Sequence, residues 1–211
     1  MKQRDAFFIL LIISFISLTS CNKNNEDDAI PSEYNVEDLR LVKEEDYIVD
    51  FSKGGSARFT TSNGYSNGNE FQKCTWSRDS VTIDNGLLNL SIREANGNFY
   101  GGEYRTKRNE FSYGYYATKM KPVKCSGVIS SFFTYTGSPW DEIDIEFLGN
   151  NTNVVQFNHF KEGVGGHDYK YKLGFDASLD FHEYGFEWTP ESITYYIDSF
   201  KVYETNISIP S

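Results

Sequence analysis

From Tyr47 onward, apolar and polar residues alternate in short runs, and no long stretch carries a 3.6-residue apolar period. The runs at 87–92, 115–120, 128–135, 154–160, 184–188 and 193–197 are rich in β-branched and aromatic residues and read as strands. Turn clusters separate them, among them Asp84-Asn85-Gly86, Asn96-Gly97-Asn98 and the glycine-rich stretch 163–166. Many short strands joined by polar turns predict an all-β protein, a sandwich or barrel of antiparallel sheets. Residues 22–46 break the pattern. They are rich in Asn, Glu and Asp, hold Pro31, and read as a linker with a short helical turn near 36–41. The chain shows neither an internal repeat nor a second domain.

One run departs from ordinary alternation. Residues 140–149 read WDEIDIEFLG. As a strand, this segment sends Trp140, Glu142, Asp144 and Glu146 to one face and Asp141, Ile143, Ile145 and Phe147 to the other. From Ile143 onward the second face suits a sheet interior. The first lines up three carboxylates beside an indole, and like charges this close weaken a strand. A solvated edge strand could carry such a row, but Trp140 and Phe147 bracket it and its other face is too apolar for an edge. A Ca²⁺ site would want turn glycines and amide oxygens, which the segment lacks. Glycoside hydrolysis needs this set: one carboxylate to attack or activate water, one carboxylic acid to protonate the leaving oxygen, and a neighbour to set their protonation. Cα atoms four residues apart on a strand lie about 13 Å apart. Retaining enzymes need carboxyls about 5–5.5 Å apart, so the two glutamates must lean together.

Composition narrows the partners. The 211-residue chain has a formal net charge of −10, and dropping residues 1–20 leaves it no less acidic. Nucleic-acid binding needs clustered Lys and Arg, so a neutral polymer is the better candidate. Aromatic residues make up 17% of the chain, more than a core alone requires, and flat rings suit sugar faces.

The N-terminus reads as a targeting segment. Lys2 and Arg4 precede an apolar run, 6–18, that falls short of the ~20 residues a spanning helix needs. It ends in Leu18-Thr19-Ser20-Cys21, which resembles a bacterial lipobox. Residues 1–20 are then a lipoprotein signal peptide, 21–46 an acidic tether and 47–211 the folded domain. Cys21 would carry the lipid, the only membrane contact expected, and the protein would be exported to the outer membrane and exposed at the cell surface. The following NKNNEDD resembles the export signal of surface lipoproteins of Bacteroidetes-like bacteria. Export permits a disulfide between Cys74 and Cys125, and the sequence leaves bridged and free thiols equally open.

WDEIDIEFLG resembles the active-site strand of glycoside hydrolase family 16, close to the bacterial lichenases, which are endo-β-1,3-1,4-glucanases. NGYSNGNEF, CTW, GGEYR, YGYYATKMKPVK, SFFTYTG, VQFNHF, LGFDAS and ITYYID resemble lichenase segments in the same order, from Asn63 to Ser211. The spacing E-x-D-x-E lacks the extra residue, a β-bulge, common in laminarinase-like relatives. The resemblance implies a β-jelly-roll with a concave cleft and retaining hydrolysis of β-1,4 bonds in mixed-linkage glucan. It implies Glu142 as nucleophile, Glu146 as general acid/base and Asp144 as the assistant between them. Trp140, Asn67, Phe71, Glu103, Arg105, Phe133, Tyr135 and Asn158 would line the cleft. Core packing is the plainer role for Phe133, and pairing with Glu103 the plainer role for Arg105.

The chain also departs from the family. Gly101 stands where the family has the cysteine that bridges to the position of Cys74, and Cys125 where relatives often have Asn. Gly137-Ser138-Pro139 makes a shorter loop, and Phe160 replaces a sugar-contacting Tyr. Lichenases continue beyond the segment matching 206–211 by three or four strands, including one that completes the sandwich. That tail also supplies a ligand to the structural calcium of many relatives, so neither a cofactor nor a metal is expected here. A monomer is expected. The alternative to an enzyme is a surface lipoprotein that captures glycan without cutting it, or an inactive truncated remnant. Gly64-Tyr65-Ser66-Asn67-Gly68 matches a nucleophile elbow but lacks the following helix. His159, His167 and His182 show no zinc-ligand spacing.

Overall fold

A computed structural model describes residues 6–9, 48–66, 73–107 and 112–211. In chain order the strands are β1 (Ala6–Ile9), β2 (Phe59–Thr61), β3 (Cys74–Trp76), β4 (Val81–Asp84), β5 (Leu87–Leu90), β6 (Ile92–Ala95), β7 (Asn98–Gly101) and β8 (Tyr104–Thr106). They continue with β9 (Gly114–Met120), β10 (Ile129–Gly137), β11 (Trp140–Leu148), β12 (Val154–Phe160), β13 (Tyr169–Lys172), β14 (His182–Trp188), β15 (Ile193–Ile197) and β16 (Phe200–Thr205). Asn85 and Gly86 carry φ of 50° and 77°, and Asn96 and Gly97 carry 54° and 75°. Two successive left-handed residues are what a two-residue hairpin turn demands, so these Asn-Gly pairs join β4 to β5 and β6 to β7. The expected helical turn at 36–41 lies outside the described residues.

Two sheets dominate. A seven-stranded sheet runs β13-β12-β11-β10-β1-β8-β2, and a four-stranded sheet runs β16-β15-β14-β9. Their facing sides form one core. Phe132, Ile143, Ile145, Phe147, Val155 and Phe157 come from the larger sheet, and Met120, Tyr184, Phe186, Trp188, Ile193, Tyr195 and Ile197 from the smaller. Phe157 stacks on Tyr195 at 4.3 Å, tying the layers at their centre. A second cluster of Val49, Phe51, Phe59, Leu88 and Tyr104 seals the end near β2 and β8. This is one of the two architectures, sandwich or barrel, that the alternation allows, and the jelly-roll that the resemblance implies.

The register decides what faces the open side. β10 pairs with β11 without interruption from Ile129↔Leu148 to Gly137↔Trp140, and β12 pairs with β11 from Gln156↔Glu146 to Phe160↔Glu142. Directly opposed residues share a face. Tyr135, Glu142 and Phe160 therefore form one cross-strand row. Phe133, Asp144 and Asn158 form the next, and Ser131, Glu146 and Gln156 the third.

The sequence sets residues 1–20 apart from the domain, yet Ala6–Ile9 lies in the large sheet, antiparallel to both β10 and β8. β8 and β10 each present a row of backbone donors and acceptors to this lane. The segment pairs with β10 at each of its four residues and with β8 at Ile9.

Adjacent phenylalanines test the layering. Phe132→Ala should cost about 3–5 kcal/mol in urea unfolding, because it empties a fully buried site. Phe133→Ala, on the open face, should cost less than about 1 kcal/mol.

Candidate active site

The strand that carries the carboxylates is held from behind. Ile143, Ile145 and Phe147 are fully buried on its core face, so β11 cannot roll to expose that side instead. Glu142 and Glu146 are partly buried and Asp144 is buried. Burial is the largest influence on all three, and it pushes each carboxyl upward. Glu142 rises to about 7, with burial opposed by hydrogen bonds from Trp140 and Asp144 and reinforced by the charge of Glu146. Asp144 is driven well above the usual carboxylate range by burial and by the charges of Glu142 and Glu146, and its hydrogen bond to Glu142 holds it protonated. Glu146 is raised by burial and partly relieved by Gln156.

Three carboxylates can share this face because they do not share three charges. Trp140 Nε1 donates to Glu142 Oε2 at 2.6 Å, and protonated Asp144 donates to the same carboxyl. Two donors converge on Glu142, the arrangement that favours an anion. Glu146 has one neutral partner, the amide of Gln156, whose Nε2 donates to Oε2 at 2.9 Å. The row therefore holds one glutamate with two donors and one with a single donor, with an aspartic acid between them.

The surrounding rings follow from the register. Phe160 stacks on Trp140 at 4.7 Å, and Tyr135 meets the same indole edge-on at 6.3 Å. The core phenylalanine of β10 is Phe132, which leaves Phe133 on the carboxylate face beside Asp144 and Asn158. Arg105 falls in that row too, across the lane held by β1, since Ile9 pairs with both Phe133 and Arg105.

Glu103 and Arg105 belong to a polar cluster at the far end of this surface. Arg105 Nε donates to Ser62 Oγ at 2.9 Å and lies 3.6 Å from Glu103 Oε2. Tyr65 donates to Ser62 Oγ at 2.8 Å, and Ser62 donates to Glu103. Glu103 is buried, which raises its carboxyl, while Ser62, Arg105 and Tyr65 hold it down. The Glu103–Arg105 pairing considered from the sequence is thus present within a larger network. Asn67 and Phe71 lie outside the described residues, as does Cys21. Ser62, Tyr65 and Gln156 were not singled out in the sequence. Gln156 was within reach, because strand alternation places it on the same face as Asn158. Nothing in the spacing links Ser62 to Glu103, 41 residues later.

Cys74 is partly buried and Cys125 exposed, both as free thiols. A Cβ at Gly101 would lie 3.1 Å from Cys74 Sγ, so these two positions adjoin as the family pattern implies. Among the described residues, no three His, Cys, Asp or Glu side chains are grouped to hold a metal ion. His159 is buried, stacks on His167 at 4.2 Å and bonds the Ile207 carbonyl, a packing role.

Comparison with known proteins agrees with this architecture. Residues 67–208 match the profile of the glycosyl hydrolases family 16. The chain is 48% identical over 171 residues to a β-glucanase of Acetivibrio thermocellus, a match covering 78% of this chain and 50% of that protein. The chain thus spans about half the length of that relative. The solved β-glucanase of Bacillus licheniformis superposes with a TM-score of 0.73 at 42% identity, covering 76% of this chain and 78% of the other. A β-1,3-1,4-glucanase (lichenase) derived from a mouse hindgut metagenome gives 0.72 at 44% identity, covering 77% and 78%. With the profile spanning most of the domain and the carboxylate strand set in the same sandwich, the chain belongs to glycosyl hydrolases family 16.

Proposed function

We propose that this protein is an endo-acting, retaining β-glucanase that hydrolyses β-1,4 bonds in mixed-linkage β-1,3-1,4-glucan. The observation that carries this is the differentiated carboxylate row on β11. Glu142 attacks the anomeric carbon as its bond to the leaving oxygen breaks, and Glu146 gives that oxygen its proton. Glu146 then takes a proton from water as the water oxygen displaces Glu142 from the sugar. Asp144 stays protonated and keeps Glu142 oriented. The indole of Trp140, stacked on Phe160, and the rings of Tyr135 and Phe133 offer apolar faces to glucosyl rings, and Asn158 and Arg105 offer directional donors. The uninterrupted β10–β11–β12 register supports the mixed-linkage preference, since no bulge re-aims Glu146. The relatives named above support the same substrate class.

We further propose that the protein is exported and anchored through a lipid on Cys21. Cleavage there would remove Ala6–Ile9 from the sheet. The mass of the N-terminal peptide from membrane-bound protein decides this: lipidated Cys21 is expected, and an intact Met1 contradicts the anchor.

Glu142→Gln should lower release of reducing ends from barley β-glucan by at least about 10³-fold, and near-normal turnover would reject the nucleophile. The same change should stabilise the fold. Glu142 is raised in the folded state, so its ionisation costs nothing below its unfolded value and costs most above about 7. Glu142→Gln should therefore gain about 1–3 kcal/mol at pH 8 and little at pH 4, by chemical denaturation. Because Glu142 must be ionised and Glu146 protonated, kcat/KM should be bell-shaped, its acidic limb near pH 7 belonging to the coupled trio.

A further inference from the structure

Asp141 is the one carboxylate of β11 on the core-facing side, and it is only 4% exposed. Its Oδ1 accepts the N–H of Glu162 at 2.7 Å, and its Oδ2 accepts that of Ser211 at 3.4 Å. Thr136 Oγ1 accepts the Asp141 N–H at 2.8 Å, which fixes the backbone from which this carboxylate projects. Asp141 is thus spent on backbone donors brought from 21 and 70 residues away.

The turn it holds lies against the active site. Lys161 and Val164 close it with reciprocal backbone hydrogen bonds of 3.1 and 2.9 Å. Glu162 and Gly163 sit at φ of 52° and 78°, both left-handed. The Gly163 N–H donates to the Trp140 carbonyl at 2.7 Å. Two neighbouring bonds, to Trp140 and to Asp141, therefore clamp the turn to the start of β11. A Cβ at Gly163 would lie 3.7 Å from the Trp140 ring, and one at Gly165 would lie 2.4 Å from Phe160. The turn accordingly packs closely on the ring pair that presents the indole N–H to Glu142.

We propose that Asp141 is a positioning residue: by fixing the turn at 161–164 it holds Trp140 at the angle from which Nε1 donates to Glu142. It touches neither substrate nor reacting atoms. Its effect is felt by the proton on Glu142, whose other titratable neighbours are Asp144 and Glu146 on β11 and Tyr135 on β10, with Lys161 and Glu162 in the turn itself. Loosening the turn weakens a donor that lowers Glu142, so Glu142 should hold its proton to higher pH. The consequence for turnover rests on the hydrolase reading, and the consequence for the proton does not.

The test follows the indole N–H resonances of the full chain across pH, with Trp140→Phe to assign the Trp140 peak among the chain's 3 tryptophans. In the unaltered protein this peak should titrate with a midpoint near 7. Asp141→Ala should move the peak upfield and raise the midpoint by at least ~0.5 pH unit. Asp141→Asn keeps an acceptor for Glu162 and should stay close to the unaltered protein. Gly163→Ala strains the turn without touching Asp141, should reproduce the change, and serves if Asp141→Ala does not fold. A folded Asp141→Ala or Gly163→Ala protein with an unmoved peak and midpoint overturns the proposal. In assays on β-glucan the acidic limb of kcat/KM should move by the same amount. Loss of kcat with an unmoved limb would mark a merely structural role. If the unaltered protein releases no sugar while the midpoint still shifts, the hydrolase reading falls and the positioning role stands.

Discussion

A carboxylate row can be drawn out of water only if the strand beneath it is fixed from its other side. That constraint organises this protein. Ile143, Ile145 and Phe147 lock β11 into the sandwich core, and the period of two then forces Glu142, Asp144 and Glu146 onto the open face. Held there, burial raises all three acids, and the charges of Glu142 and Glu146 raise Asp144 further. The electrostatic cost is met by keeping a proton on Asp144 and by converging two donors on Glu142. The core and the site are therefore the two faces of one strand, and a slip of one residue would lose both.

The same logic extends sideways. Antiparallel register carries each row of β11 onto β10 and β12, so aromatic and amide side chains arrive beside the acids with no special loop geometry. Loops enter at the rim. The turn at 161–164 packs on Trp140, which in turn reaches Glu142. Residues remote in sequence thus act on one carboxylate through a short series of contacts.

Much of this was legible in the chain. The runs at 154–160 and 193–197 coincide with β12 and β15, and the Asn-Gly turns fall where predicted. Alternation along 140–148 sorted β11 correctly into core and open faces, because a face apolar from Ile143 to Phe147 leaves no ambiguity of register. Phe133 was harder. Alone it reads as core, and only its pairing with Asp144, with Phe132 taking the interior, turns it toward the acids. The polar cluster of Ser62, Tyr65, Glu103 and Arg105 was legible only in part, since no local pattern records which distant strands become neighbours. The pairing of Ala6–Ile9 with β10 has no local signal either, since an apolar leader and an apolar strand have the same composition.

The central claim is that Glu142 bonds covalently to sugar while Glu146 serves the leaving oxygen. Incubation with an activated 2-deoxy-2-fluoro mixed-linkage oligoglucoside, followed by peptide mass mapping, tests it most directly. A retaining mechanism slowed at its second step predicts one glycosyl ester, on Glu142. An adduct on another residue, or turnover that yields the inverted anomer, would contradict it.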